Sequence, residues 1–428
     1  MKTKKRERDY LYAVPFSALI LFATLNFSTG GDQALINEGS RAFTIYIRIA
    51  IYALAFYPLF VKPAVYFPWL IKRWPFLALL VFVPVSFLWS SHPGSVIENT
   101  IHLIGGSLCA FSASIYYSKY QERIFILLPL TFGIAIIVSL VTIYITPDIG
   151  IATFEWEETS RWRGATGNPN TLGRLSTIAV WASIIGIVNN RKNRNLVILL
   201  AIISGAGIIT LIGSDSKTSE AVFALLFVLV FLFPRILGKR NIRKRKKYEV
   251  MITYVLLLST SIAFIFSHSI SISDEALLSG IGRDSTLSGR TNVWENANTL
   301  INMKPIIGWS FDGRRSAFDE IEIGLPHFHN GYLDFMVRGG MVGLLILFSL
   351  IARTIWRIWR KAKRKPDIYA HFAAFIISLL VYNITEMTFG AWSNLMWIML
   401  LFIYFLSERN RGHRRRKGRH TQIETTIH

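Results

Sequence analysis

Apolar residues along this chain come in blocks about as long as a bilayer is thick, and basic residues fill most of the gaps between blocks. Crossing the hydrocarbon as a helix takes roughly 17–25 predominantly apolar residues. Twelve windows meet or approach that length: 10–27, 42–60, 74–89, 97–116, 124–145, 172–188, 196–212, 221–237, 250–266, 333–351, 370–388 and 392–406. The pattern predicts an all-α, polytopic integral membrane protein of about twelve transmembrane helices, with the fourth and the last windows the weakest. No polar stretch between windows is long enough to bury a core of its own, so 1–428 reads as a single membrane domain.

Composition agrees. The 428 residues are 52% hydrophobic, and 47 Lys and Arg against 26 Asp and Glu give a net charge of +21. The first 27 residues have the charge and hydropathy of a signal peptide but no convincing small-residue cleavage site, and they read as a retained first helix. The single cysteine, Cys109, excludes an intrachain disulfide and a cysteine-based metal site. With the N-terminus in the cytoplasm and alternating spans, 35 of the 47 basic residues fall on the cytoplasmic side. That asymmetry predicts both termini inside, with 408–428 as a basic cytoplasmic tail. It also accounts for "GKRNIRKRKK" and "RGHRRRKGRH" as topology signals that meet anionic lipid, and no nucleic-acid partner is expected. The remaining 12 basic residues, among them Arg48, Arg161, Arg163, Arg174, Lys217 and Arg290, lie in spans or on the far side and call for another reason.

Two far-side connections are long: 146–171, and 267–332 between the ninth and tenth windows. The second is too long for a structureless loop. Within it "TNVWENANTLIN" places Val293, Ala297, Leu300 and Ile301 on one helical face. In the first, "RWRGATGNPN" sets Arg161 and Arg163 before two glycines and an Asn-Pro step, a tight loop at a helix mouth. Guanidinium forks and exposed N–H groups there can hold a phosphate or pyrophosphate; on the motif alone, a turn whose arginines meet headgroups or Glu155, Glu157 and Glu158 is the simpler reading. Arg290 in "DSTLSGRTNVW" precedes an expected helix start capped by Thr291 or Ser288, a second anion site or a surface pair with Asp284. "GSDSKTSE" carries Lys217 among hydroxyls but lacks the upstream glycines of an ATP-binding loop.

"PHFHNGYLDFMVRGGMVGLLI" then puts His327 and His329 at the mouth of the tenth window. Histidines two apart can ligate zinc, cap a helix or act as a general base, and imidazole suits the last because it titrates near neutral pH. Asn330 is placed to cap the helix, and Gly339, Gly340 and Gly343 to pack it closely. Trp156, Trp162, Trp294, Trp309, Phe311, Phe328 and Tyr332 are bilayer anchors or sugar-stacking platforms. Arginines for a poly-oxygen anion, a base and no nucleotide motif suit group transfer from a lipid-linked pyrophosphoryl sugar.

These motifs resemble the O-antigen ligase and polysaccharide polymerase superfamily of bacterial inner membranes. The carrying residues are Arg163–Gly164 with Asn168–Pro169–Asn170 and Leu172–Gly173; Ser214 to Thr218; Ser288–Gly289–Arg290 through Trp294, with Pro305 and Gly308; and His329 to Leu333 followed by Gly340 and Gly343. The resemblance covers 161–343. It implies a GT-C-like, metal-independent, inverting membrane glycosyltransferase with no cofactor. Its active site would face the periplasm, and its donor would be an undecaprenyl-pyrophosphate-linked oligosaccharide. The implied partners are that donor, a glycan acceptor, membrane lipid, a chain-length regulator and other polysaccharide assembly proteins. The implied roles are His329 as base and Arg163 and Arg290 on the pyrophosphate with Arg161; His327, Asn330, Lys217 and Asn168 support them. "RWRG", "SGRT" and "HNGYLD" look more like exopolysaccharide polymerases than ligases acting on lipid A-core, the second reading. A lipid-glycan flippase is the third. Its ionisable groups would sit at mid-bilayer, where Arg48 and Glu386 are the sequence's best candidates.

Overall fold

The computed structural model describes residues 9–25, 38–154, 159–237, 286–321 and 328–409, with main chain only for 38–43, 154, 159 and 286–292. The helices, in chain order, are α1 (Val14–Thr24), α2 (Glu38–Val61), α3 (Pro63–Ile71), α4 (Trp74–Val85) and α5 (Pro93–Lys119). Then follow α6 (Ile124–Ile145), α7 (Pro169–Asn189), α8 (Arg194–Ser214), α9 (Lys217–Leu237), α10 (Thr286–Met303), α11 (Gly331–Ala362), α12 (Pro366–Thr385) and α13 (Leu395–Glu408). A two-stranded antiparallel ribbon, β1 (Ile151–Phe154) and β2 (Thr159–Trp162), is a departure from all-α and lies in the first long connection.

The expected count of about twelve spans is corrected. Among the described residues seven helices are long and apolar enough to cross a membrane, or eight if the bent pair α3–α4 is one span. The differences have physical causes. Helix α1 has 11 residues and α13 has 14, or ~16 and ~21 Å at about 1.5 Å per residue, short of a ~30 Å hydrocarbon core. In α5 the apolar positions are diluted by Glu98, Asn99, His102, three glycines and several serines. The window at 74–89 does not stand alone, because α3 leads into it across an 84° bend. The window at 250–266 lies outside the described residues, as do much of 267–332 and the tail from 410 onward.

The bundle is layered around two buried helices. In α7, 78% of the apolar window is buried, and every residue of α13 is. Helix α7 packs on α6, α8 and α9, while α13 packs on α1, α5, α11 and α12. A second small core of Val293, Ala297, Leu300, Trp309, Phe328 and Val337 sits on the N-terminal end of α11. It is built by α10, whose expected apolar face is realised. Trp309, Phe311 and Phe328 are core here, at 3%, 0% and 0% exposure, rather than platforms for sugars.

The ends of the helices sort onto two faces. At one, Arg73, Arg353 and Arg357 converge on the buried Glu408 carboxylate at 2.6–3.3 Å, Lys365 donates to Gln121, and Lys119 pairs with Asp9. At the other lie the ribbon, the α8–α9 turn, the start of α11 and the end of α12.

Helix α11 is opened near its start. Gly340 has φ +58° and ψ −162°, a conformation essentially confined to glycine. A continuous helix would pair the amides of Met341 and Val342 with the carbonyls of Val337 and Arg338. Instead those amides donate to Pro305 and Ile306, and the two carbonyls accept from Trp309 and Ser310, all at 2.8–3.0 Å. The segment 305–310 thus threads into the break and leaves these groups satisfied, as buried main chain requires. Gly340 serves this exchange rather than close helix packing. Gly339 and Gly343 do pack closely, against Phe311 and Phe82.

Candidate functional site

Around His329 the chain is fixed from four directions. Trp294 Nε1 donates to the Phe328 carbonyl at 2.9 Å. Asn330 caps α11 as expected, its Oδ1 accepting from the amides of Tyr332 and Leu333 at 3.0 and 3.1 Å. The Gly331 amide donates to the Glu386 carbonyl at 3.1 Å. A Cβ on Gly331 would fall 2.1 Å from Asn383 Oδ1, so that face is closed to any larger residue. Between these anchors His329, half-buried, takes φ +48°. Left-handed backbone is uncommon outside glycine, though histidine is among the enriched exceptions, and it tends to mark sites that the surroundings hold in place. Replacing Asn330 with Ala should cost about 1 kcal/mol of stability, and Asp or Ser there should restore most of it. Thermal unfolding midpoints of the purified variants check this, and an unchanged midpoint for Asn330→Ala would remove the cap from the account.

The first loop also folds as its sequence suggests. Gly164 and Gly167 take positive φ around a 3-10 turn, and Asn168 caps α7, accepting from the Asn170 amide at 2.9 Å. Pro169 occupies the first helical position, where its missing N–H costs nothing. Arg161 projects from β2, its Nε donating to the Ser214 carbonyl at 3.1 Å and its Nη2 to Asn170 Oδ1 at 3.0 Å. Asn170 in turn donates to Glu386 Oε1 at 3.0 Å. Thr385 reaches Thr218 at 3.3 Å, beside Lys217, whose ammonium meets Asp215 and Glu220. One continuous set of contacts therefore joins Arg161, Asn168–Asn170, Ser214–Thr218 and His329–Gly331.

Glu386 is the residue that closes this set, and sequence reasoning put it elsewhere. It stands at the C-terminal end of α12, on the face of the site, rather than within the helix. Its only sequence signal is a carboxylate at an apolar block's end.

The other expected residues stand apart. Arg163 donates through Nε to the Ile149 carbonyl at 2.8 Å and through Nη2 to the Asp148 carbonyl at 2.9 Å. Its guanidinium is thus held against the short helical turn Pro147–Gly150. Arg290 lies inside α10, which begins at Thr286; Ser288 and Thr291 are helical positions, not caps. Its side chain lies outside what the structure describes, and so does all of His327. Trp162 covers Gly213, where a Cβ would meet its ring at 2.3 Å. Asp319, over the same face, is held below the usual carboxylate range by the Ser91 hydroxyl and then by His92. Among the described residues no three His, Cys, Asp or Glu side chains are grouped to hold a metal ion.

Comparison with known proteins fits this arrangement. The profile of the O-antigen ligase family matches residues 196–348, which include Ser214–Thr218, α10 and the His329–Gly343 segment. The Exopolysaccharide production protein ExoQ of Rhizobium meliloti (strain 1021) is 23% identical over 296 residues, covering 64% of this chain and 62% of that protein. The match thus spans under two thirds of that relative's length. The resemblance to the O-antigen ligase and polysaccharide polymerase superfamily is borne out.

Proposed function

We propose that this chain is a membrane glycosyltransferase that moves a glycan from an undecaprenyl-pyrophosphate donor to a sugar hydroxyl and so polymerises repeat units of a surface polysaccharide. The observation that carries the reading is the His329 corner, pinned by Trp294, Asn330 and Glu386 and tied through Asn170 to Arg161. In this reading His329 takes the proton of the acceptor hydroxyl as that oxygen attacks the anomeric carbon. The bond from that carbon to the pyrophosphate oxygen breaks, its electron pair leaves with the lipid pyrophosphate, and the anomeric centre inverts. Arg163, Arg290 and Arg161 offset the charge on the leaving group, which needs no proton. Lys217, Asn168, Asn330 and His327 support the site.

The face opposite the site carries Lys119, Arg123 and the basic end of α11. By the positive-inside rule that face is cytoplasmic, which turns the site to the periplasm of an inner membrane. A donor activated before it arrives suits a compartment without nucleotides.

The matching profile is described as an O-antigen ligase, which favours transfer onto lipid A-core as the second reading. The ExoQ likeness favours polymerisation. Membranes containing the chain, given lipid-linked repeat units with and without lipid A-core, separate the two. A ladder of lengthening products without the core is expected; a single transfer that requires the core would establish the ligase. The same sugar on a lipid monophosphate should react at least ~tenfold slower, because binding energy from the second phosphate is lost. Equal rates would remove the pyrophosphate from the mechanism.

A further inference from the structure

A cavity of about 240 Å³ opens between the end of α1, the middle of α2 and the starts of α7 and α13. Its polar wall is Arg48, Arg174, Thr166, Thr171 and Asn394, and Phe22 stands among its apolar residues. Arg174 is 8% exposed; its Nη2 donates to Thr171 Oγ1 at 3.1 Å, and its Nε is buried with no hydrogen-bond partner. Arg48 is half-buried, with its guanidinium 5.4 Å from the centre of the Phe22 ring. No carboxylate lines the cavity among the described residues. Two cations on one wall repel, and burying a guanidinium with a donor unmet is costly unless an anion answers it.

The surroundings favour an anion as well. Helix α7 begins at Pro169 and α13 at Leu395, so two helix N-termini meet here, each contributing partial positive charge. The volume is well above the ~30 Å³ that one water occupies. On α2, Ile45, Tyr46 and Ile49 beside Arg48 are exposed, so Arg48 lies on the lipid-facing rim of the bundle. An anion carried by a lipid can reach this position from the side. Asn170 meets Glu386, whereas its neighbour Thr171 faces the cavity, so this place is next to the His329 site but distinct from it.

We propose that the cavity is a phosphate-binding site, in which Arg174 and Arg48 take the phosphate or pyrophosphate group of a lipid at the rim of the bundle. The Thr171 hydroxyl and the Asn394 side-chain amide supply the remaining hydrogen bonds. The site does not require His329 to be the catalytic base.

The test is calorimetric titration of inorganic pyrophosphate into the full chain in dodecyl maltoside micelles, which carry no phosphate. Wild type is expected to bind, Arg174→Gln and Arg48→Gln each to weaken binding at least ~tenfold, and Arg315→Gln, at an exposed position outside the cavity, to leave it within about twofold. Arg48 is half-exposed, so its variant keeps the test decisive if Arg174→Gln fails to fold. Added phosphatidylglycerol that competes with pyrophosphate would identify a phospholipid headgroup as the occupant; competition by farnesyl pyrophosphate but not by phosphatidylglycerol would identify an isoprenoid-type diphosphate. Binding that survives both cavity variants would overturn the proposal. So would no binding of either probe. His329 variants retain pyrophosphate binding if the cavity is the site, so this result and the fate of the glycosyl-transfer reading are separable.

Discussion

Replacing His329 with Asn should lower the rate of glycan transfer by 10²–10⁴-fold, the usual range for a lost general base, or about 3–5 kcal/mol in the barrier. Asparagine is the informative choice. It tolerates the left-handed backbone at this position, whereas Ala would add a conformational cost of ~1 kcal/mol and blur a chemical defect with a structural one. The Trp294, Asn330 and Glu386 contacts that hold the corner involve neighbouring atoms, so the variant should keep its unfolding midpoint to within a few degrees. The measurement is the initial rate of product formation in membranes at matched protein level. Full activity of His329→Asn would end the base assignment. A loss of activity that tracks a loss of protein would reassign the residue to structure.

A second large effect is expected at Gly340. Any side chain there must adopt a backbone conformation open almost only to glycine, and its Cβ would lie 2.4 Å from the carbonyl group of Ile306. Backbone cannot step aside as a flexible side chain would. Gly340→Ala should therefore cost at least ~3 kcal/mol, and the segment 305–310 should leave the break in α11. Gly308 sits opposite, with a Cβ 2.5 Å from the Arg338 carbonyl carbon, so Gly308→Ala should behave alike. Gly205→Ala is the control: in α8 a Cβ there meets nothing within 4 Å, and the change should stay within ~1 kcal/mol of wild type. Unfolding midpoints in detergent distinguish these cases. A Gly340→Ala protein as stable as Gly205→Ala would mean that the break in α11 is not the native arrangement.

What was legible in the sequence was mostly local. The apolar face of α10, the Asn330 cap and the turn before Pro169 each depend on residues a few positions apart, and each formed as its pattern suggests. Hydropathy windows located most of the helices but miscounted the spans. A window cannot register the bend between α3 and α4, the short reach of α1 and α13, or polar dilution that is buried inside the bundle. Long-range pairings were invisible. Nothing in "RWRG" announces that Arg163 meets the carbonyls of Asp148 and Ile149. Glu386 looked like an isolated membrane charge because Asn170 is over two hundred residues away. Arg48 and Arg174 gained meaning only when folding brought their helices to one cavity.

The burial of α13 has a consequence for how the protein is made. Leu395–Glu408 is packed on α1, α5, α11 and α12, and every residue of it is shielded. A helix synthesised after all its partners occupies the middle of the bundle. The earlier helices can enter the bilayer in turn, but they cannot close on one another until those fourteen residues have left the ribosome. Until then the nascent protein carries an open seam, and premature termination before Leu395 would remove its centre instead of an edge.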